Sequence, residues 1–277
     1  MIIGAFLLAT FAGKAQEKPV RYTESNKGKI FISWGGNREN YSTSDIHFKG
    51  ADYDFTIKDA TAHDKPKGWH IDYINPSRMT IPQTNFKLGY FISDHYTVAL
   101  GVDHMKYVMD RNRSRNVNGF IDLPITEAGS EFNQTFSGAP YLVSEDFLKF
   151  EHTDGLNFVY VELGRQDDIS SLFSLTNTDV FQVNINAGVA VGGLYPKTNT
   201  TLLKKERHDD FHVSGYGAAV KAGLNLTAFK YFFVQLDLKG GYIDMNAIRT
   251  TQDTADSASQ HFFFLERIIS FGGIFRL

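Results

Sequence analysis

Cysteine is absent from the sequence, which removes disulfide frameworks, Cys-ligated zinc, iron–sulfur clusters and a thiol nucleophile together. There is also no excess of basic charge. Lys and Arg number 28 against 31 Asp and Glu, for a net charge of -3, so nothing attracts nucleic acid or anionic lipid at long range. Proline is scarce, with 7 residues against 24 Gly, 24 Phe and 13 Tyr. That balance favours strands, because aromatic side chains fit a pleated surface. After the N-terminus no run approaches the ~20 apolar residues of a membrane helix.

The first fifteen residues, MIIGAFLLATFAGKA, carry an apolar run from Ile2 to Ala12. Gly13 and Ala15 occupy the small-residue positions of a signal peptidase site, with Gln16 as the first mature residue. The expected organisation is a signal peptide over 1–15, an N-terminal periplasmic segment over 16–28 and a barrel over 29–277.

From Asp179 the chain reads DVFQVNINAGVAVGGLY. Phe181, Val183, Ile185, Ala187, Val189 and Val191 alternate with small or amide residues, the period of a strand with one apolar face. The run is longer than a typical globular strand of about 5 to 6 residues. It matches a tilted transmembrane strand of about 9 to 11. Seven further segments follow the same rule: Lys29 to Arg38, Asn85 to Ile92, His95 to Met109, Asp154 to Arg165, Ser214 to Ala228, Tyr231 to Met245 and His261 to Leu277. Their connections alternate between short ones (Ser93-Asp94, Gln166 to Thr178, Ala228 to Lys230) and long ones (Glu39 to Thr84, Asp110 to Thr153, Pro196 to Val213, Asn246 to Gln260). An outer-membrane barrel has short periplasmic turns and long extracellular loops in this way. A soluble barrel of lipocalin type is the structural runner-up, since alternation alone does not say which face is wet.

In the closing segment HFFFLERIISFGGIFRL, Leu265, Ile269, Phe271, Gly273 and Phe275 share one face. A last strand that pairs with the first leaves no edge in lipid. With the apolar faces outward, Lys87, Asp103, Lys221, Asp237, Lys239 and Glu266 point inward as three cations and three anions. The lumen of an eight-stranded barrel is just wide enough for side chains to fill it. The face of Asp154 to Arg165 stays open, because Glu162 and Arg165 fall on opposite sides. Aromatic girdles are expected from Tyr90, Phe91, Tyr96, Phe229, Tyr231 and Phe232 at the short turns, and from Tyr107, Tyr195, Tyr242 and Phe262 to Phe264 at the long loops.

Several stretches carry a family likeness: Ala15-Gln16, SWGGNREN, SDIHFKG, YDFTIKDA, DHMKYVM, YLVSEDFLKFEHTDGLN and the terminal strand. Through them the chain resembles the small outer-membrane barrels of Bacteroidetes-type bacteria. The resemblance implies an eight-stranded antiparallel up-and-down transmembrane β-barrel in the outer membrane, and it implies no catalytic residues. The apolar end also resembles the C-terminal signal read by the barrel assembly machinery, with Leu277 where an aromatic is usual.

HVS, with His212 and Ser214, resembles the His-x-Ser pair of eight-stranded lipid A deacylases, with Asp244 as the orienting carboxylate. Gly215 replaces the Asn that usually follows the serine, and no Glu stands at the usual downstream spacing. A reactive serine needs a base within hydrogen-bond reach and a third group to hold that base. At the expected extracellular ends, His and carboxylates recur at His63-Asp64, His70 with Asp72, His152 with Asp154, and in KKERHDDFH. Imidazole and carboxylate suit zinc or copper, yet this spacing matches no closed site. The loop stretch SDIHFKGADYDFTIKDATAHD alternates well enough to form a hairpin above the membrane. The pairs Gly35-Gly36, Gly192-Gly193, Gly240-Gly241 and Gly272-Gly273 fall in strands, where they permit close packing.

The reading at this level is an exported barrel with a filled lumen and a structural or surface-binding role. The alternatives are a lipid-modifying enzyme and, third, a small-solute channel. Expected partners are outer-membrane lipid and lipopolysaccharide, the assembly machinery through the last strand, and a surface ligand or protein. No cofactor, metal or nucleic acid is assigned.

Overall fold

The computed structural model describes residues 21–68, 70–74 and 82–276. The expected signal peptide over 1–15, the start of the expected periplasmic segment and Leu277 lie outside them. Fourteen strands account for most of the described chain: β1 (Lys29–Tyr41), β2 (Ser44–Lys49), β3 (Tyr53–Ala60), β4 (Ala62–His63), β5 (Thr84–Phe91), β6 (Tyr96–Met109), β7 (Arg113–Ile121), β8 (Gln134–Val143), β9 (Leu148–Asp168), β10 (Phe181–Leu194), β11 (Asn199–Leu202), β12 (Gly215–Ala228), β13 (Phe232–Arg249) and β14 (Ser257–Arg276).

Eight of them close a ring in the order β1-β5-β6-β9-β10-β12-β13-β14, and β14 returns to β1. All of these pairings are antiparallel, and the closing one runs in unbroken register from Lys29↔Arg276 to Tyr41↔Phe264. Closure satisfies the backbone of every wall strand without leaving an edge, the condition for crossing a bilayer with strands. Among the described residues no helix is long and apolar enough to cross a membrane. The period-two pattern decides which side faces out. Leu100, Val161, Leu163, Val189, Val220, Leu236, Leu238 and Ile269 are exposed on the outer wall. Such a belt is compatible with lipid and costly in water. The fold is thus an eight-stranded antiparallel transmembrane barrel.

At one end the connections are tight. β12 turns into β13 through Phe229 and Lys230, both at positive φ (51° and 61°). At the other end the long connections fold further. Above the ring β14 exchanges its partner β1 for β2 over Ser257–Gln260, and the sheet runs on through β3, β7 and β8. The anticipated hairpin is β2 and β3, paired from Ser44↔Ala60 to Lys49↔Asp54. This extracellular platform has its own apolar core. Phe48 stacks on Phe55 at 5.2 Å, and Phe55 meets Phe147 at 5.5 Å. The buried cluster continues without a break through Tyr107 and Phe262 down to Phe158 and Tyr160 inside the barrel.

That continuity corrects the girdle at the long-loop end. Tyr107, Phe262 and Phe264 are buried and point inward, whereas Phe263 is exposed. Above the charged layer the lumen is itself apolar, so both faces of β14 attract aromatics there. Phe91 also turns inward, while Tyr90, Tyr96, Phe229 and Phe232 are exposed near the short turns.

Candidate functional site

The lumen is filled in layers. At the short-turn end Phe91, Phe233 and Ile274 form a small apolar plug with Phe31 packed against it. Beside this plug lies a cavity of about 30 Å³ bordered by Lys87, Thr97, Glu162, Asn225 and Gln235. That is room for little more than a water molecule.

Next comes a charged layer. Lys87 on β5 donates to both carboxylate oxygens of Glu162 on β9, at 3.0 and 2.9 Å. Lys221 on β12 lies 3.2 Å from Glu162 and 3.5 Å from Asp237. Two ammonium groups and two carboxylates neutralise each other there. Higher still, Lys239 on β13 is bonded to Asp103 on β6. The Lys239 ammonium sits 3.7 Å from the centroid of the Tyr160 ring, whose hydroxyl donates to Asp103 at 3.1 Å. Asn85 Nδ2 donates to Asp103 and to Glu266, each at 2.7 Å, and Asn37 Nδ2 donates to Glu266 at 2.9 Å. Gln83 Nε2 bonds the carboxylates of both Glu39 and Asp64. A buried charge with partners is tolerable where an isolated one is not.

Lys87, Asp103, Lys221, Asp237, Lys239 and Glu266 therefore all sit inside the ring. Sequence reasoning missed Glu162 as the common partner of Lys87 and Lys221. Arg165, the residue that left its face open, is on the outside and pairs with Asp167 at 2.7 Å. It also missed Glu39, Asn37, Gln83 and Asn85. The alternation places Glu39 at the start of the first long connection, but β1 runs on to Tyr41 and keeps Glu39 in the wall, 2% exposed. The recoverable signal was the inward phase shared by Asn37 and Glu39.

The structure does not assemble His212, Ser214 and Asp244. Ser214 Oγ donates to the main-chain carbonyl of His212 at 3.3 Å, not to its ring. Asp244 is the Cα partner of Tyr216 and accepts its hydroxyl at 3.1 Å. The His212 ring lies 6.4 Å from that of His208. Burial, Arg249 and His208 lower its pKa. The β12–β13 register brings the backbones together as expected; the side chains part because Ser214 is buried just before β12 begins while Asp244 lies on the exposed face with Tyr216. Within KKERHDDFH, Asp209 is held by Arg207 at 2.9 Å and Lys197 at 3.4 Å. No group of three His or carboxylate ligands gathers among the described residues.

At the short-turn end the Asp179 carboxylate accepts the backbone N–H groups of Tyr22 and Thr23, at 3.2 and 3.0 Å. Asp94 does the same for Asn26 and Lys27, at 2.9 and 3.0 Å. These bonds, the Lys27 amide foremost, hold the Asp94 carboxyl below the usual range. The segment ahead of β1 is thereby clamped across that mouth of the barrel.

A closed antiparallel ring with an apolar belt, tight turns at one end and elaborated connections at the other defines a β-barrel membrane protein of the outer-membrane type. No protein-family model matches the sequence, and no curated protein does either. Solved structures similar to it include the outer membrane protein OprG from Pseudomonas aeruginosa, with 11% identity and a TM-score of 0.38 over 92% of this chain and 99% of that one. Ail, the attachment invasion locus protein of Yersinia pestis, is 10% identical with a TM-score of 0.30 over 90% and 99%. Neisserial surface protein A is 8% identical with a TM-score of 0.29 over 87% and 98%.

Proposed function

We propose that this protein is a non-conducting outer-membrane barrel that holds a folded platform at the cell surface, serving as a structural element of the envelope or as a binder of a surface ligand or protein. The observation that carries this reading is the aromatic core that runs unbroken from Tyr160 in the barrel to Phe55 and Phe147 in the platform. Such a core packs the platform directly onto the barrel and fills much of the upper lumen with side chains. The belt takes outer-membrane lipid and lipopolysaccharide as its surroundings, and β14 is the strand offered to the assembly machinery. Kinship with the small barrels of Bacteroidetes-type bacteria belongs to the same reading and rests on the stretches quoted above.

Two measurements test it. In planar bilayers the purified protein adds no stepwise conductance; clear steps would sink the filled-lumen reading. Because the chain has no cysteine, an Ile125→Cys variant offers a single reactive site at a residue that is 91% exposed. A membrane-impermeant maleimide should label it on intact cells, and protection there would refute the surface orientation.

A further inference from the structure

The charges of the lumen do not balance along its length. Around Lys87 and Lys221 the two cations meet two anions. Closer to the platform, the Lys239–Asp103 pair is the only salt bridge that the described residues make to the three carboxylates Asp103, Glu266 and Glu39. Glu39 and Glu266 are Cα partners on adjacent strands, and they are 2% and 0% exposed. Two like charges placed directly opposite each other repel, and out of water the cost is large. Something has to offset them.

The amides around this chamber indicate what. Asn37, Gln83 and Asn85 each turn their nitrogen toward a carboxylate, which settles their orientation, because the flipped amide would set oxygen against oxygen. Their oxygens remain. Asn37 Oδ1, Gln83 Oε1 and Asn85 Oδ1 have no hydrogen-bond partner, and neither do Glu39 Oε1 and Glu266 Oε2. All five belong to residues that are at least nine-tenths buried. Every unmet atom is an acceptor. Buried acceptors are almost always satisfied, and five on hydrogen-bonded neighbours, two of them carboxylate oxygens of Glu39 and Glu266, call for a positive centre with many oxygen ligands.

We propose that this chamber is a binding site for a hard divalent cation of the calcium class, held by Glu39 and Glu266 with amide oxygens from Asn37, Gln83 and Asn85. Calcium takes 6 to 8 oxygen ligands from carboxylates, amide carbonyls and water. Two carboxylates cancel its charge. Asp64, half-buried at the rim beside Gln83, is the carboxylate through which the ion arrives from outside. The set contains two carboxylates and no imidazole, so it differs in kind from a cluster of three ionisable ligands. It is independent of what the platform binds.

The test is equilibrium dialysis of the full-length protein in detergent, stripped with EDTA and then returned to calcium, with bound metal read by atomic emission. Wild type should hold one calcium per chain and unfold at a higher temperature with calcium than without. Glu39→Gln/Glu266→Gln should lose the ion, and Asn37→Ala, which keeps every charge, should weaken it by about tenfold or more. Glu145→Gln, at the exposed partner of Arg111, should bind as wild type does. If the double variant fails to fold, the Asn37→Ala variant decides alone. Wild type without bound calcium, or Asn37→Ala binding as tightly as wild type, overturns the proposal. So does a double variant that is more stable than a wild type indifferent to calcium, since protons alone would then neutralise the chamber.

Discussion

Lys239 on β13 reaches through the lumen to Asp103 on β6, two strands that stand on opposite sides of the ring and share no edge. Lys87 and Glu162 are likewise joined across β6, which separates their strands. These pairs act as struts between parts of the wall that backbone hydrogen bonds do not connect.

Lys239→Ala should therefore destabilise the barrel strongly. Removing one partner of a buried pair costs about 3–5 kcal/mol, because the other charge is left unpaired. The double variant Lys239→Met/Asp103→Leu should recover most of the loss. Urea unfolding in lipid vesicles, followed by tryptophan fluorescence, reads both.

Gly101 is the second pressure point. A Cβ at that position would enter the ring of Tyr160, which carries both the stack under Lys239 and the hydrogen bond to Asp103. Gly101→Val should cost about 1–3 kcal/mol, the usual range for overpacking. Gly101→Val combined with Tyr160→Leu should cost less than Gly101→Val alone if the clash is with that ring.

Acid should loosen the platform through His152. The ring is fully buried, with Nδ1 3.0 Å from Thr198 Oγ1, and burial pushes its pKa down from 6.5 to about 3. The unfolded chain takes up a proton near 6.5 while the folded one resists until about 3. Stability from this group is thus complete above 6.5 and falls as the pH drops through that window, by up to about 1.4 kcal/mol per pH unit. Hydrogen exchange of β9 and β11 between pH 7 and pH 4 should show it, and His152→Phe should flatten the slope.

Ser214→Ala should leave lipid A unchanged. The serine hydroxyl is spent on the His212 carbonyl, so no base is in place to activate it. Mass spectra of lipid A from cells expressing wild type and variant should coincide; loss of an acyl chain in the wild type alone would reinstate the enzyme reading.

Much of the wall was legible because a period of two survives in any strand with unlike faces. β10 alternates so cleanly that its span and outward face follow from the residues alone. Glu162 was not legible for a definable reason. It and Arg165 have opposite parity, and parity says inward or outward but not how deep along the strand a residue lies. Arg165 is outward near the short-turn end, where it pairs with Asp167 and lies over the Tyr96 ring, and only position along the strand resolves the conflict. Tyr107 and Phe262 show the converse failure. Reading apolar as outward holds only while the inner face is polar, and near the platform the interior is an aromatic core.

The sequence by itself determined the all-β class, the eight wall strands and the inward phase of six charged residues, since each depends on neighbours within a strand. Which charges meet was decided by tertiary structure. Lys239 and Asp103 lie 136 positions apart, and closure of the ring, a property of no single segment, brings them together. The same closure brings Asn37 and Glu39 of β1, Gln83 and Asn85 at the start of β5, and Glu266 of β14 into one chamber with more acceptors than donors, because shared space inside a barrel is set by registers and ring order rather than by local pattern.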